Sequence, residues 1–489
     1  MVAVMDRKAK IVATIGPKSA DKDTIIKLIN CGMDVARLNF SHGTHKFHSD
    51  VIKNIREASH ITGKSVAIMQ DLQGPKLRVG ILPGHQADLK KDDVVFLTEG
   101  KEISKVFSLK NGKKVIPLDI PDLCNVLSIG KTIFLDDGCI ELEVFDVFED
   151  SIRAVVKVGG ILKTHKGINL PNVPLNIPSF TEKDKKDLLF GLKYQVDIVA
   201  ISFVKNVDDI LFVKIFIAEN SKNKSGIPIV SKLERSEAID NLEDIIKTSD
   251  GVMVARGDLA VETSPAAVPV IQKRVIQAAN KYSTFVITAT QMLDSMIHNQ
   301  RPTRAEASDV ANAVFDGTDA LMLSGETAIG EYPALSISMM DAIIKEAEEH
   351  SSEWGQSNYD SHVDSNDDSM SIARAAGELA YDRNVSAIAV FTQSGRTALM
   401  MSKVRPRVII YAFTPDEQTF RKINVLWGVK PNLVPFVDTV EKMIEKVDNV
   451  IKSSTELEAG QQVILVSGFP VGKSRPPNFV FLHDIGQVL

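Results

Sequence analysis

Short runs of consecutive apolar residues recur along the first two thirds of the chain, and each run ends in polar or charged residues. Eight such runs are present: KIVATIG (10–16), VARLNFS (35–41), VAIMQDL (66–72), IVAISF (198–203), IPIVSKLE (227–234), VMVARGD (252–258), FVITATQ (285–291) and ALMLSGE (320–326). Continuous apolar runs are typical of parallel strands buried on both faces. Amphipathic stretches between them, such as VIQKRVIQAANKY, predict helices. We therefore expect a (β/α)8 TIM barrel, with functional residues at the carboxyl ends of its strands.

The regular alternation stops between the third and fourth runs. Residues 74–173 contain short β segments separated by the turn signals KNGKK, LDDG and VGG. Gly74-Pro75 marks the entry to this region, and the Pro- and Asn-rich stretch NLPNVPLNIPS (169–179) marks its exit. We predict that residues 74–173 form a small inserted β-barrel lid domain, carried by a catalytic barrel of residues 1–73 and 174–350.

A third region follows a polar stretch, SSEWGQSNYDSHVDSNDDS (351–369), which has the composition of a linker. Beyond it, apolar runs such as SAIAVF and VIIYAF alternate with amphipathic stretches, including a long one near 439–453. VILVSG and NFVFLHD complete the pattern. We predict a doubly wound C-terminal α/β domain over residues 351–489, with a regulatory role.

Bulk properties exclude several classes of protein. At 489 residues the chain is too long for one hydrophobic core. The net charge of -6 is small and no basic face is visible, so we expect no nucleic-acid partner. No apolar run approaches the roughly 18 residues that span a membrane. The N-terminus lacks a signal-peptide pattern and the three cysteines form no CxxC, so we expect a cytoplasmic protein with reduced thiols.

The predicted strand ends bring many polar side chains to one rim. They are Arg37, Asn39, Ser41, Asp71, Lys232, Glu234, Arg256, Asp258, Thr290, Ser324 and Glu326. Glu234 and Asp258 end adjacent strands, and two carboxylates suit Mg²⁺ or Mn²⁺. Lys232, two residues before Glu234, points to the same side of its strand. With Arg37 and Arg78 nearby, this set fits a phosphorylated, highly anionic substrate; the alternative is a rim of ordinary salt bridges.

Several of these segments also resemble a known family. KIVATIGP, MDVARLNFSHG, DLQGPKLR, VSKLE, VMVARGDL, TATQML, RPTRAEASDVANAV and LMLSGETA resemble, in order, the motifs of the pyruvate kinase family. The likeness extends over nearly the whole chain. It implies phosphoryl transfer from phosphoenolpyruvate to ADP, giving ATP and pyruvate as the last step of glycolysis. It also implies an allosteric, cytoplasmic homotetramer.

The resemblance assigns roles to individual residues. Glu234 and Asp258 match the family's Mg²⁺ ligands, and Lys232 matches the lysine that stabilises the phosphoryl group in flight and the enolate oxygen. Arg37 and Arg78 match phosphate-contacting arginines, and Thr290 and Ser324 match the positions of the enolpyruvate protonation machinery. The substrate- and nucleotide-binding set implied is Arg37, Asn39, His42, Arg78, Lys166, Gly257, Asp258 and Thr290.

One motif departs from the family pattern. Where many members read DTKGPEIR, with Asn, Ser, Asp and Thr oxygens holding K⁺, this chain reads DLQGPKLR. It keeps Asn39, Ser41 and Asp71, but the threonine is replaced by Leu72 and the glutamate by Lys76. We hypothesise that the Lys76 ammonium replaces the monovalent cation, so that K⁺ is not required. The alternative is a solvated lysine at the entry to the lid.

The C-terminal region offers a candidate effector site. In TQSGRT (392–397) a Ser-Gly turn precedes a predicted helix, an arrangement that suits a phosphate group. The residues are Thr392, Gln393, Ser394, Gly395, Arg396 and Thr397, with Lys473 and Arg475 in reach. Family resemblance implies a sugar phosphate or AMP, and an ordinary α/β turn is the alternative.

Two other functions stay open at this stage. One is a Schiff-base aldolase that uses Lys232 as its nucleophile, although Glu234 and the lid argue against it. The other is a catalytically silent metabolite sensor that acts through the C-terminal domain. A sensor would be expected to lose its rim residues, and this chain keeps them.

Overall fold

The computed structural model describes residues 6–102, 114–171, 173, 177–221, 226–351, 367–454, 457–471 and 475–487. The chain opens with two strand–helix units and a third strand. Their elements are β1 (Lys10–Thr14), α1 (Lys22–Asn30), β2 (Val35–Asn39), α2 (His45–Thr62) and β3 (Ala67–Asp71). The two helices begin at side-chain caps, since Asp21 accepts from Thr24 N and Thr44 accepts from Phe47 N.

The inserted region follows β3 and is almost entirely β. Its elements are β4 (Gln86–Leu89), β5 (Val94–Glu99), β6 (Lys114–Leu118), α3 (Leu123–Val126), β7 (Thr132–Leu135), β8 (Ile140–Val147), β9 (Ile152–Val158), β10 (Gly160–Lys163) and β11 (Ile168–Asn169). Six strands form a curled sheet in the order β11-β7-β8-β9-β5-β6, and β10 pairs with β4. The LDDG signal is a turn between β7 and β8, where Asp136, Asp137 and Gly138 all have positive φ. Most of KNGKK lies outside the described residues.

Strand–helix alternation then resumes. The elements are α4 (Glu182–Lys193), β12 (Ile198–Ile201), α5 (Val207–Asn220), β13 (Ile229–Leu233), α6 (Ser236–Asp240), α7 (Leu242–Thr248), β14 (Gly251–Ala255), α8 (Arg256–Glu262), α9 (Val268–Lys281), β15 (Phe285–Ala289), α10 (Arg304–Phe315), β16 (Ala320–Leu323), α11 (Gly325–Ala328) and α12 (Pro333–Glu349). The parallel strands close in the order β1-β16-β15-β14-β13-β12-β3-β2. The predicted TIM barrel is confirmed.

The eight strands end earlier than the apolar runs predicted. Runs written as 252–258 and 320–326 give strands that stop at Ala255 and Leu323. Arg256-Gly257-Asp258, which we expected to end a buried strand, instead opens helix α8. The rim residues therefore lie on strand ends and on the loops and helix starts that follow them, where side chains have more freedom to converge.

The remaining elements form the C-terminal α/β domain. They are α13 (Asp368–Asp382), β17 (Ala387–Phe391), α14 (Arg396–Val404), β18 (Ile410–Thr414), α15 (Glu417–Lys422), β19 (Val429–Leu433), α16 (Val440–Ser454), β20 (Gln462–Ser467) and β21 (Phe479–Asp484). The sheet order is β19-β18-β17-β20-β21, with only the β20–β21 pair antiparallel. Strand β19 was not predicted, and most of the linker lies outside the described residues.

Four aspartates occupy equivalent places at the amino end of the barrel. Counted along the chain, the barrel has eight strands, and each aspartate lies directly before the second, fourth, sixth or eighth. Its carboxylate accepts a main-chain N–H near the start of the strand before it. The pairs are Asp34 with Ile11, Asp197 with Ile68, Asp250 with Ile229 and Asp319 with Val286, at 2.7–2.9 Å. The C-terminal domain docks on this end, because Arg421 pairs with Asp197 and Lys403 pairs with Asp319. In the described part of the chain, no helix has the length and apolarity to cross a membrane.

Candidate active site

Lys232 lies at the centre of the carboxyl-end rim. Its ammonium is 2.8 Å from Glu234 Oε1, 3.3 Å from Asp71 Oδ1 and 2.8 Å from the Ser202 hydroxyl, to which it donates. Burial alone would lower the pKa of Lys232, but Asp71 and Glu234 outweigh it and the pKa is raised. Lys232 is therefore a fixed positive charge. A Schiff-base role would require a depressed pKa, so the contacts disfavour the aldolase alternative.

The two candidate metal ligands lie close together at the rim. Glu234 is buried and also accepts the Phe203 N–H at 2.8 Å, while Asp258 lies in the first turn of α8. Burial raises the pKa of both carboxyl groups; Lys232 opposes the rise, and Asp258 adds to it for Glu234. Two adjacent carboxyls that are costly to ionise suit a divalent cation.

The donor set fits Mg²⁺ in particular. Among the described residues, no group of three or more His, Cys, Asp and Glu side chains could hold a metal ion by itself. Mg²⁺ commonly takes one or two protein carboxylates and fills its other positions with substrate oxygens and water. Glu234 and Asp258 can thus hold the ion only together with substrate or solvent.

Arg37 is anchored beside Lys232. Its guanidinium contacts Asp71 Oδ2 at 2.6 and 2.7 Å and donates to the Thr14 hydroxyl at 2.9 Å. Asp71 is buried, and although burial favours its neutral form, Lys232 and Arg37 lower its pKa. Asp71 therefore stays ionised and fixes both cations in place.

The turn after β2 brings three predicted residues to the rim. Asn39 Oδ1 accepts the Ser41 N–H at 3.0 Å, and His42 is exposed. The buried His48 ring braces the turn, because its Nε2 lies 2.9 Å from the His42 carbonyl oxygen. Partial desolvation of the ring at the rim, with the positive charges of Lys76, Arg78 and Arg37 nearby, lowers the pKa of His42 and favours its neutral form.

The DLQGPKLR segment places Leu72 and Lys76 differently. The Leu72 side chain is buried in the barrel core, and its carbonyl oxygen accepts from Ser202 at 2.7 Å. Only the side-chain oxygen of the threonine is thus lost; the main-chain oxygen remains. Lys76 is exposed, and within the described residues its ammonium makes no ion pair. Its charge adds to the lowering of the pKa of His42 by desolvation and opposes the rise that burial causes in the pKa of Asp258, so Lys76 acts on the rim.

The lid contributes two further cations. Arg78 donates to the His165 carbonyl at 2.8 Å, and Lys166 pairs with Asp136 at 2.6 Å. The lid also contacts the barrel where Asn169 donates to Glu262 at 3.4 Å. A cleft between lid and rim is lined by Lys76, Asp258 and neighbouring residues.

Thr290 and Ser324 follow the adjacent strands β15 and β16. The Thr290 hydroxyl accepts the Gly257 N–H at 2.9 Å and donates to the Ala289 carbonyl at 2.6 Å. Ser324, partly exposed, is held by its main-chain N–H, which donates to Glu326 at 2.7 Å. Glu326 is buried and caps main-chain groups, so its place is structural.

One residue of the rim, Ser202, was not predicted from the sequence. Ser202 donates to the Leu72 carbonyl and accepts from Lys232, and so ties β3 to the central lysine. Its position at the end of the run IVAISF, as the only polar residue there, was the available signal.

Comparison with known proteins agrees with this geometry. Residues 6–337 match the family model described as pyruvate kinase, barrel domain, and residues 370–483 match pyruvate kinase, alpha/beta domain. The chain belongs to the pyruvate kinase family. It is 41% identical over 491 residues to the pyruvate kinase of Geobacillus stearothermophilus, covering 99% of this chain and 81% of that protein. For the pyruvate kinase of Staphylococcus haemolyticus the identity is 40% over 486 residues, covering 98% and 81%.

The candidate effector residues of this pyruvate kinase family member surround a cavity of about 240 Å³ in the C-terminal domain. Thr392, Gln393, Ser394, Arg396, Thr397 and Arg475 line it. Gly395, at φ +93°, is the N-cap of α14, and its N–H donates to the Thr392 hydroxyl. Arg396 is paired with Asp367 at 2.6 Å. Lys473 lies outside the described residues.

Proposed function

We propose that this chain transfers a phosphoryl group from phosphoenolpyruvate to ADP and then protonates enolpyruvate, giving ATP and pyruvate. The observation that carries the proposal is the position of Lys232, a buried fixed cation between Asp71 and Glu234 on a rim that also holds Arg37 and Asp258. Phosphoryl transfer relies on positioning and on neutralising charge at the transferring group. Membership of the pyruvate kinase family selects this reaction among phosphoryl transfers.

In the first step, phosphoryl transfer, different side chains of this chain have separate roles. Arg37 and Arg78 bind the phosphate of the substrate, and Lys232 stabilises the charge on the transferring group and on the enolate oxygen left behind. Bound at Glu234 and Asp258, Mg²⁺ supplies Lewis-acid neutralisation of phosphate and enolate oxygens. His42, Gly257 and Lys166 bind the nucleotide, Lys166 from the lid, which excludes water when it closes.

The second step places a proton on the enolate carbon. Thr290 follows strand β15 and Ser324 follows strand β16, and the Thr290 hydroxyl already has a defined donor and acceptor. A hydroxyl held in this way can orient a water or pass a proton. We assign protonation to this part of the site.

The monovalent-cation site is proposed to be replaced by Lys76. Asn39, Ser41, Asp71 and the Leu72 carbonyl still offer oxygens, so the missing threonine hydroxyl does not by itself remove the site. The ammonium of Lys76 supports the proposal, because it is unpaired in the described structure and already acts on Asp258. K⁺ is then not required for turnover.

The remaining assignments concern organisation and control. We propose the domain division 1–73 with 174–350, 74–173 and 351–489, in a cytoplasmic homotetramer. A phosphate-bearing effector, a sugar phosphate or AMP, would bind the cavity at residues 392–397. Two features support a phosphate there: the N-terminus of α14 and the arginines at 396 and 475.

Pyruvate formation from phosphoenolpyruvate and ADP with Mg²⁺ tests the reaction and the cation proposal together. It is measured in K⁺-free buffer and again with K⁺, and turnover is expected in both. Turnover only with K⁺ would keep the reaction and remove the role of Lys76. No turnover by folded protein, with or without sugar phosphates and AMP, would overturn the proposed function.

A further inference from the structure

The backbone that carries Thr290 has an unusual conformation. Strand β15 ends at Ala289, and the next two residues have positive φ: +71° for Thr290 and +54° for Gln291. A β-branched side chain in the left-handed region is a genuine outlier, because its Cβ crowds the backbone. Such strain persists only where the surroundings hold it in place. Something in the structure must therefore stabilise this turn.

The turn directs three consecutive carbonyl oxygens at one side chain, Arg256. Its Nε lies 3.2 Å from the carbonyl oxygens of both Ala289 and Thr290, and its Nη2 lies 2.7 Å from that of Thr290 and 3.3 Å from that of Gln291. Three converging carbonyl dipoles repel one another unless a cation lies between them. The guanidinium supplies the charge, and its fork of N–H groups reaches all three oxygens.

The guanidinium is itself held from its other edge. Nη1 contacts the Asp309 carboxylate at 2.7 and 2.8 Å and Gln272 Oε1 at 3.4 Å. Asp309 lies on α10 and Gln272 on α9, so two outer helices fix the arginine. The Arg256 side chain is only 12% exposed. It is a buried brace rather than a group that reaches toward substrate.

The segment 256–258 also contacts the Thr290 hydroxyl. Arg256 holds the carbonyl groups, the Gly257 N–H donates to Thr290 Oγ1, and Asp258, a candidate metal ligand, follows immediately. The direction of the hydroxyl is therefore set by the turn conformation and by the start of α8. A change at Arg256 should move the hydroxyl before it moves Lys232 or Glu234, which Arg256 does not contact.

We infer that Arg256 is a positioning residue for the proton-transfer half of the reaction, acting by holding the Thr290 turn in its left-handed conformation. The inference rests on the proposed function. If Arg256 only joined α10 to the barrel, its loss would slow phosphoryl transfer and proton transfer by the same factor. A positioning arginine affects protonation more than phosphoryl transfer.

Two assays separate the half-reactions. Rapid-quench formation of ATP from bound phosphoenolpyruvate and ADP, in a single turnover, reports phosphoryl transfer. Exchange of the pyruvate methyl protons in deuterated buffer, with Mg²⁺ and ATP and followed by NMR, reports proton transfer in reverse. If wild type shows neither, the proposed function fails before Arg256 is tested.

Arg256→Lys keeps the charge but loses the fork, and Arg56→Lys is the matched control. Arg56 also donates to two carbonyl oxygens and one aspartate, at the other end of the barrel. We expect Arg256→Lys to slow methyl exchange at least tenfold while ATP formation changes less than threefold. The control should leave both rates within twofold.

Asp309→Asn provides a second test that leaves Arg256 itself in place, should the lysine variant fold poorly. It removes the charged anchor of the guanidinium, and about threefold slower exchange is expected with ATP formation unchanged. Exchange within twofold of wild type in folded Arg256→Lys protein, or equal losses in both assays, would overturn the inference. Unchanged exchange in folded Asp309→Asn protein would count against the inference in the same way.

Discussion

The two ends of the barrel use the same residue type in opposite ways. At the amino end, Asp34, Asp197 and Asp319 each accept a main-chain N–H and pair with at least one arginine or lysine at 2.6–2.8 Å. At the carboxyl end, Glu234 and Asp258 lie near each other, and burial raises the pKa of both.

This difference separates stability from function. Carboxylates at the amino end find all their partners within the chain, so they stabilise the barrel and its contact with the C-terminal domain. At the carboxyl end Asp71 is likewise paired, with Arg37 and Lys232, but Glu234 and Asp258 stay costly to ionise, so a metal ion can stabilise their charges during the reaction. Sites of this kind commonly reduce stability while they permit activity.

The largest effect is expected for Asp258→Asn. Loss of a metal-ligand charge at the transferring phosphate should lower kcat by about 10²–10³-fold or more, the scale of losing one electrostatic stabiliser. Because the raised pKa means that the Asp258 charge opposes folding at neutral pH, the variant should melt at the same temperature or higher. Steady-state kinetics and thermal unfolding check both halves. Lower thermal stability would contradict the contrast between the two ends.

Asp319→Asn should show the reverse pattern. It leaves Lys403 and Arg405 buried with less compensation, which typically costs about 3–5 kcal/mol in the free energy of unfolding. Denaturant unfolding measures this loss, and kcat of the folded enzyme at 25 °C should stay within about threefold of wild type. Adding Lys403→Met should recover part of the stability. A fully stable but inactive single variant would refute the assignment.

Lys76→Glu reverses the charge at position 76, and because this side chain is exposed the substitution does not alter the buried core. A carboxylate at position 76 should make activity depend on added K⁺, with turnover in K⁺-free buffer reduced about tenfold or more and restored by the salt, since about 1.4 kcal/mol corresponds to each factor of ten. Lys163→Glu, an exposed lid position, is the control and should show no K⁺ dependence. Equal rates for Lys76→Glu with and without K⁺ would remove the cation-replacement proposal.

The smallest effect is expected for Asp250→Asn. Asp250 directly precedes β14, as Asp319 directly precedes β16. Its side chain, however, is 46% exposed, and Lys214 lies 3.7 Å away. Its ion pair is screened by solvent, and an asparagine oxygen can still accept from Ile229 N, so the free energy of unfolding should fall by at most about 1 kcal/mol. Denaturant unfolding beside Asp319→Asn gives the comparison. A loss as large as that of Asp319→Asn would show that burial is not what separates them.

Much of the fold was predictable because barrel strands are buried on both faces and leave continuous apolar runs. Strand β19, VKPNL, left no such signal, since it lies at the sheet edge and contains Pro431. The rim set was predictable from strand ends and family motifs. The strain at Thr290 was not, because φ depends on the three-carbonyl contact with Arg256, which joins residues more than 30 positions apart.

The central claim is that the carboxyl-end rim transfers a phosphoryl group from phosphoenolpyruvate to ADP. The most direct measurement is the amount of ATP and of pyruvate formed by purified wild type and by Asp258→Asn, with Mg²⁺. The account predicts equal amounts of the two products from wild type and almost none from the variant. Unconsumed phosphoenolpyruvate with folded wild type, or equal rates for the two proteins, would contradict it.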